Sequence, residues 1–330
     1  MNLFLVTSPL QLLCAIEAKH HFRTSNNILI VREEKSQSAV RQMRVLLDKS
    51  EWDHVIFIGR KSKVWEARKL HSKLKSIHNS LSFLYIFYAD YSAWRTNVLL
   101  NNIEVKHEVM FDDGVGTVRE FHEKIQPELV VSRNKPSRDF LLKLVGLKPA
   151  RKIYPRKNFS FFTFFALPAS KFKVTTNTLS TLQGRLGTSE CFSQTAQIGF
   201  IGQGMVAEKG IKLEYYENML RTLIEQNGAD MIYFPHRTEK EFVKKRLKQI
   251  EGLSYHESSM PLELEIAQEK ITLSKIYGIA STASISLEKL YPSIPVINLN
   301  IPIQHYMVEA FGINFHNVAK QLNLRSLDLE

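Results

Sequence analysis

The chain has 330 residues, too many for one ordinary core and suited to two domains of roughly 150 residues each. Hydrophobic residues make up 44% and charged ones 23%, a balance that excludes a disordered or fibrous chain. Lys and Arg number 44 against 33 Asp and Glu, and the net +11 favours an anionic partner: nucleotide, nucleic acid, acidic lipid surface or anionic substrate.

The chain opens with Leu3–Thr7, an apolar strand without a basic leader, stopped by Ser8-Pro9. It reads as a buried first strand and not a signal peptide. A helix over Pro9–Phe22, a strand at Asn27–Val31, a polar helix near Ser36–Leu47 and a strand at His54–Ile58 follow. A basic helix then runs through Lys75, with further strands at Ser82–Phe87 and Glu108–Phe111 and a helix at Thr117–Ile125. Strands separated by helices of this size imply a parallel sheet covered on both faces.

The rhythm breaks between Lys148 and about Glu190, where basic residues give way to Phe159, Phe161, Phe162, Phe164 and Phe165 and then to Thr and Ser. The domain junction is expected here, giving domains 1–155 and 191–330 with a linker over 156–190. The Phe cluster reads first as a core or interdomain contact. Beside Arg151, Lys152, Arg156 and Lys157, it also reads as a shallow anchor on an anionic membrane. After Gln197 the α/β pattern returns: strands at Ile198–Ile201, Asp230–Phe234, Lys275–Ala280 and Pro295–Leu299, and a basic helix over Glu239–Ile250. Two Rossmann-like α/β domains of this kind make a GT-B-like arrangement, with ligands at the carboxyl ends of the strands. Cys14 and Cys191 form no CxxC pair, which points to a reducing cytoplasm and away from disulfides or zinc. No segment reaches the ~20 apolar residues of a membrane span.

Three segments follow strands and carry chemistry. In Asp112-Asp113-Gly114 one carboxylate can enter the cleft while the other anchors the loop, and such a carboxylate can take a proton from a hydroxyl. A plain strand-to-helix turn would use the same residues. In Pro235-His236-Arg237 a histidine and an arginine at a strand end make a phosphate clamp, or a structural turn. In Ser281-Thr282-Ala283-Ser284 hydroxyls and N–H groups at a helix start make an anion site, although an N-cap accounts for one hydroxyl.

Together these segments resemble the bacterial sialyltransferases of the lipooligosaccharide, capsule and soluble multifunctional families, which share an acidic pair before glycine, a histidine motif and a Ser-Ser/Thr motif in that order. The opening Leu3 to Gln11 also resembles the start of the lipooligosaccharide and capsule enzymes. In those families proline follows the histidine, whereas here Pro235 precedes it and Arg237 follows. The resemblance implies an inverting, metal-independent transfer of sialic acid from CMP-sialic acid, with no cofactor. Asp113 would be the general base, Asp112 would support it or touch the acceptor, and His236 would meet the leaving phosphate. Ser281, Thr282 and Ser284 would bind that phosphate, with Pro235, Arg237, Gly202 and Gly204 on the donor side. Glu263, or else Glu265, would hold the ribose. Thr7, Ser8, Gln11 and Gly114 would lie on the acceptor side. The acceptor would be a terminal galactoside, α2,3-linked, of a lipid-linked surface-glycan precursor at the inner membrane face.

Two neighbouring readings stay open: a CDP-glycerol-dependent transferase, which the acidic motif disfavours, and a CMP-Kdo transferase. A non-enzymatic polyanion binder would use the basic helix Lys240–Lys248, but no nucleic-acid module is recognisable, so no nucleic-acid partner is expected. A metal-dependent transferase would need a third carboxylate where Gly114 stands.

Overall fold

A computed structural model describes residues 1–33, 36–150, 152–156, 158–258, 260–322 and 326–328. The chain divides into two compact units, Met1–Thr181 and Leu182–Glu330. The first unit contains β1 (Asn2–Val6), α1 (Pro9–His21), β2 (Asn27–Arg32), α2 (Gln37–Leu46), β3 (His54–Ile58), α3 (Lys63–Ile77) and β4 (Ser82–Tyr88). It continues with α4 (Trp94–Asn101), β5 (Glu104–Met110), α5 (Val115–Glu120), α6 (Pro136–Leu144), β6 (Phe159–Thr163) and β7 (Lys173–Thr176). Among the described residues these strands form one parallel sheet of seven, in the order β3-β2-β1-β4-β5-β6-β7.

The short α7 (Ser180–Leu186) spans the division. The second unit then holds β8 (Ile198–Ile201), α8 (Leu213–Asn227), β9 (Met231–Phe234), α9 (Glu241–Leu247), β10 (Leu253–Tyr255) and α10 (Leu262–Gln268). It ends with β11 (Lys275–Ile279), α11 (Thr282–Leu290), β12 (Val296–Asn300), α12 (Glu309–Gln321) and β13 (Ser326–Asp328). Its described strands form a parallel sheet of six, β10-β9-β8-β11-β12-β13. Each unit is therefore Rossmann-like, as the strand-helix rhythm predicted, and each reverses its strand order beside its first strand.

The strands follow from their composition. Every residue of β1 and β2 is buried, and their continuous apolar runs suit parallel strands covered on both faces. The turn into α1 is set by Ser8, whose Oγ accepts the Gln11 N–H at 3.3 Å, and by Pro9 at the helix start. The helix expected at Thr117–Ile125 is split into α5 and a π-helical turn over Phe121–Ile125. After Gly204, residues 205–212 intervene before α8 begins.

The segment expected as an interdomain linker has another place. Residues up to Thr181 belong to the first unit, where Phe159–Thr163 and Lys173–Thr176 add two strands to its sheet. The five phenylalanines are at most 5% exposed. Phe161 packs edge-on against Phe121 and Phe159 at 5.6 and 5.1 Å, and Phe162 against Phe22 at 5.5 Å. Rings so enclosed cannot enter a bilayer, which overturns the membrane-anchor reading of this cluster. Arg156 pairs with buried Glu108 at 2.9 Å, while Arg151 and Lys157 lie outside the described residues. The basic helix is also largely neutralised: Lys240 pairs with Glu208, Lys244 and Lys248 with Glu257, and Arg246 with Glu217. Among the described residues no helix is long and apolar enough to cross a membrane.

All three tryptophans, Trp52, Trp65 and Trp94, lie in the first unit, so their fluorescence follows its unfolding. Phe161→Ala is expected to destabilise that unit by about 3–5 kcal/mol in a denaturant titration. Leu144→Ser, at a position 66% exposed, should change it by less than about 0.5 kcal/mol.

Candidate functional site

In the first unit, the site is assembled where β1 and β5 end. Beyond β5 the chain reads Phe111-Asp112-Asp113-Gly114, and Gly114 adopts φ +63°, ψ −145°, a conformation that side chains resist. That turn sends the two adjacent carboxylates into different environments. Asp112 is fully buried: Thr163 Oγ1 donates to its Oδ1 at 2.5 Å and the Phe164 N–H to its Oδ2 at 2.9 Å. Burial pushes its pKa up to about 7, against the opposing pull of hydrogen bonds from Thr163, Phe164 and Thr117. Enclosed in this way, Asp112 cannot touch an acceptor, and of its two expected roles only support is open to it.

Asp113 is exposed. Its Oδ1 accepts from Gln11 Nε2 at 2.7 Å, and Gln11 Oε1 in turn accepts the Thr7 N–H at 2.7 Å. Thr117 Oγ1 accepts the Asp113 N–H at 2.8 Å. Gln11 is buried, so of the residues expected on the acceptor side it acts by positioning Asp113, while Ser8 serves as the helix cap. Thr7 Oγ1 is buried with no hydrogen-bond partner among the described residues. The sequence reading missed Thr117 and Thr163, which no short motif marks.

In the second unit, Gly202-Gln203-Gly204 follows β8 and meets the loop after β9. A Cβ on Gly202 would come within 2.5 Å of Tyr233 Oη, and one on Gly204 would overlap Thr238 Oγ1 and His236 Nδ1. Gly202 is thus required by β9 and Gly204 by the histidine loop after it, a nearer reason than the expected approach to a nucleotide. The Thr238 N–H donates to His236 Nδ1 at 3.2 Å, and Thr238 Oγ1 lies 2.8 Å from the same nitrogen. With Nδ1 accepting, the neutral ring carries its proton on Nε2. Desolvation, then the neighbouring Arg237 charge, lowers the imidazole pKa. Arg237 is exposed and Pro235 half-buried.

Beneath this loop lies a network that the sequence reading did not find. Glu239 accepts from Tyr233 at 2.5 Å and Tyr255 at 2.6 Å, Tyr216 Oη lies 3.1 Å from Tyr233 Oη, and the Glu239 N–H donates to the His236 carbonyl at 2.8 Å. Burial raises the Glu239 pKa, opposed by the two phenols.

The third segment begins α11. Ser281 caps the helix, its Oγ accepting the Ser284 N–H at 3.1 Å and lying 3.0 Å from Ser284 Oγ. Ser284 is fully buried against Gly278, so it braces Ser281, whereas Ser281 and Thr282 are half-buried. Gln203 Nε2 donates to the Ile279 carbonyl at 2.7 Å and ties the glycine segment to this one. Glu263 accepts from Ser286 Oγ at 2.8 Å and is raised in pKa by burial. Glu265 is fully buried and faces His256 Nε2 at 3.3 Å. Both candidate ribose ligands are therefore engaged within the second unit. Among the described residues, His256, Glu265 and Glu269 are the grouping whose ligand atoms lie close enough for a metal, and Asp112-Asp113 is not part of it.

No family model matches the chain, and no curated protein does. Solved structures do resemble it. An α/β-galactoside α-2,3-sialyltransferase from Photobacterium phosphoreum gives a TM-score of 0.52 at 10% identity, covering 96% of this chain and 95% of that one. A UDP-GlcNAc 2-epimerase from Neisseria meningitidis gives 0.52 at 9% identity, covering 98% and 91%. A putative UDP-GlcNAc 2-epimerase from Listeria monocytogenes gives 0.51 at 9%, covering 98% and 90%. At such identities the likeness concerns the fold: two Rossmann-like domains of the GT-B kind.

The raised pKa of Asp112 has a consequence for stability. Between about pH 4, near the pKa of an unfolded Asp, and about pH 7, the folded protein holds a proton that the unfolded chain has lost, so this group's contribution falls as pH rises. Asp112→Asn, which mimics the neutral acid, is expected to flatten the fall. Glu239 and Glu263 are present in both proteins, so the difference between their denaturation midpoints from pH 4 to 8 isolates Asp112.

Proposed function

We propose that the chain is an inverting, metal-independent glycosyltransferase that moves sialic acid from CMP-sialic acid to a terminal galactoside of a bacterial surface-glycan precursor. The observation that carries this reading is the exposed Asp113 carboxylate, held at 2.7 Å by Gln11 beside a buried partner acid. Such a group is a positioned base, and an acceptor hydroxyl needs one. The second unit supplies the opposite chemistry, because His236 Nε2–H and the start of α11 are donors suited to a phosphate. The order of the three motifs supports the choice of sugar, and the likeness in fold to a galactoside sialyltransferase agrees with glycosyl transfer on this kind of scaffold.

The reaction is a single displacement. The acceptor oxygen attacks the anomeric carbon, its proton passes to Asp113, and the bond to the phosphate oxygen breaks. The departing CMP takes the electron pair, and the charge gathering on its phosphate is met by His236 Nε2–H, the Ser281 and Thr282 hydroxyls and N–H groups of α11. One displacement inverts the centre. Arg237 gives the phosphate a fixed positive charge, and Glu263 is the ribose ligand by its place against α11. The acceptor is lipid-linked and an α2,3 bond is formed, in the cytoplasm, on this reading.

CMP release from CMP-sialic acid, with β-galactosides present and in EDTA, tests the proposal. Wild type should release CMP in an acceptor-dependent way. Asp113→Ala should lower the rate by about 10²–10⁴-fold and His236→Ala by about 10²-fold. Gly204→Ala, which displaces the histidine loop, should weaken CMP binding in calorimetry. Binding of CMP without acceptor-stimulated release would sink the sialyl reading and turn the assay to CDP-glycerol and CMP-Kdo. Turnover of UDP-GlcNAc to its epimer would replace it with an epimerase.

A further inference from the structure

The first unit contains a second recess, largely apolar in surface but bordered by cationic side chains, apart from Asp113. This open recess lies where β2 and β3 end, between α3 and α4, and is lined by Arg32, Lys63, Glu66, His71 and Arg95 over an aliphatic floor. Arg32 is the last residue of β2 and is only 8% exposed. Its Nη1 lies 3.4 Å from Asp90 Oδ2, but its Nε is buried with no hydrogen-bond partner among the described residues. Arg95 donates from Nη1 to the Gly59 carbonyl and from Nη2 to the Arg60 carbonyl, each at 3.0 Å, and its Nε is likewise buried and unpartnered.

Buried donors of this kind are nearly always satisfied in native proteins, by protein, ordered water or an ion, so two guanidinium N–H groups without a protein acceptor beside one recess mark a place for an acceptor from outside. The charge balance says which kind. Glu66 spends Oε2 on the Gly59 N–H at 2.9 Å, and Asp90 faces Arg32. Against these two acids stand Arg32, Lys63 and Arg95, with Lys135 and Arg138 near enough to act on Lys63. Burial lowers the Arg32 pKa to about 10 and also lowers those of Arg95 and Lys63, and the surrounding cations add to this. The fifteen-residue α3 begins at Lys63 with no side-chain cap, and its positive end favours the same ligand.

We propose that this recess is an oxyanion subsite that takes the phosphate group of a phosphate ester, with Arg32 Nε and Arg95 Nε donating to its oxygens and Lys63 balancing its charge. The subsite and Asp113 stand on one edge of the first sheet, because all its strands point the same way. Strands β2 and β5 are three neighbour spacings apart, about 14 Å. If the proposed glycosyl transfer is right, on which this step rests, the phosphate belongs to the acceptor and lies well away from the hydroxyl attacked, as in a glycan joined to its carrier through a phosphate.

Calorimetry of the full chain with inorganic phosphate and with pyrophosphate, at fixed ionic strength, tests the subsite. Lys63→Gln and Arg95→Gln should each weaken pyrophosphate binding by about tenfold or more, while Lys245→Gln, on the exposed face of α9, should not. Equal affinity in all three variants, no binding, or binding that CMP displaces and Lys63→Gln leaves intact would overturn it. A second arm compares galactosides with and without a phosphate. Lys63→Gln should raise the ratio of KM for the phosphorylated acceptor to KM for the neutral one by about tenfold. If the chain transfers no sugar, the calorimetry still decides the subsite. Variant-sensitive pyrophosphate binding with an unmoved KM ratio upholds the subsite and makes its ligand a free phosphate compound.

Discussion

Both sheets are parallel throughout their described strands, and the placing of every chemical group depends on that constraint. Parallel neighbours need a long crossover, so helices cover both faces and the strand interiors must be apolar. Apart from paired groups such as Glu108, polar side chains then gather at the strand ends, and all the carboxyl ends share one edge. Thr7, Arg32, Asp90, Asp112 and Thr163 occupy such positions in the first unit, and Gly202, Pro235 and Ser281 in the second. Where the strand order reverses, beside β1 and beside β8, successive crossovers leave to opposite faces and open a crevice. Gln11 stands at the first reversal and Gln203 at the second, and each is buried and spends its amide on a neighbouring segment.

Within that frame the acidic pair solves an electrostatic problem. Two charged carboxylates on successive residues repel, and burying a charged one costs several kcal/mol unless it is well paired. Turning Asp112 into the core raises its pKa toward neutrality, to which the adjacent Asp113 charge also contributes. As an acid it can share a proton with a threonine hydroxyl and still accept the Phe164 N–H. The like charge is thereby weakened, and Asp113 is left as the exposed carboxylate, oriented by Gln11. The strand β6 is part of this arrangement, since Thr163 is its last residue and Phe164 follows directly.

Much of this was legible in the sequence. The buried strands announced themselves as apolar runs, and the acidic, histidine and serine motifs each follow a strand as read. Position at a strand end was legible, but bonding was not. The Gln11–Asp113 bond joins residues 102 apart in the chain, and Thr163–Asp112 residues 51 apart, separations that local patterns do not encode. The first reading of the Phe cluster, a core contact, holds, and the membrane reading fails for a related reason. A run of five phenylalanines between basic residues looks amphipathic, yet β6 and the turn after it bury all five, because the strand is covered on both faces. Glycine was ambiguous in the same way. Gly202 and Gly204 looked like a backbone prepared for a ligand, whereas the contact that forbids a Cβ comes from Tyr233 and His236 within the fold.

The histidine loop also limits what His236 can do. A general acid must hold its proton until the leaving oxygen takes it, which calls for a pKa near the working pH. Desolvation and the Arg237 charge lower the pKa of this ring, and the Thr238 N–H already occupies Nδ1. The form these neighbours favour is neutral, with the proton on Nε2. A neutral imidazole can stabilise a departing phosphate by hydrogen bonding without first being protonated. Held in place by Gly204 and by the bond from Glu239 to its carbonyl, the ring needs little reorganisation as charge develops. In the proposed reaction His236 would therefore be an electrostatic partner of the leaving group, and the proton chemistry would fall to Asp113 alone.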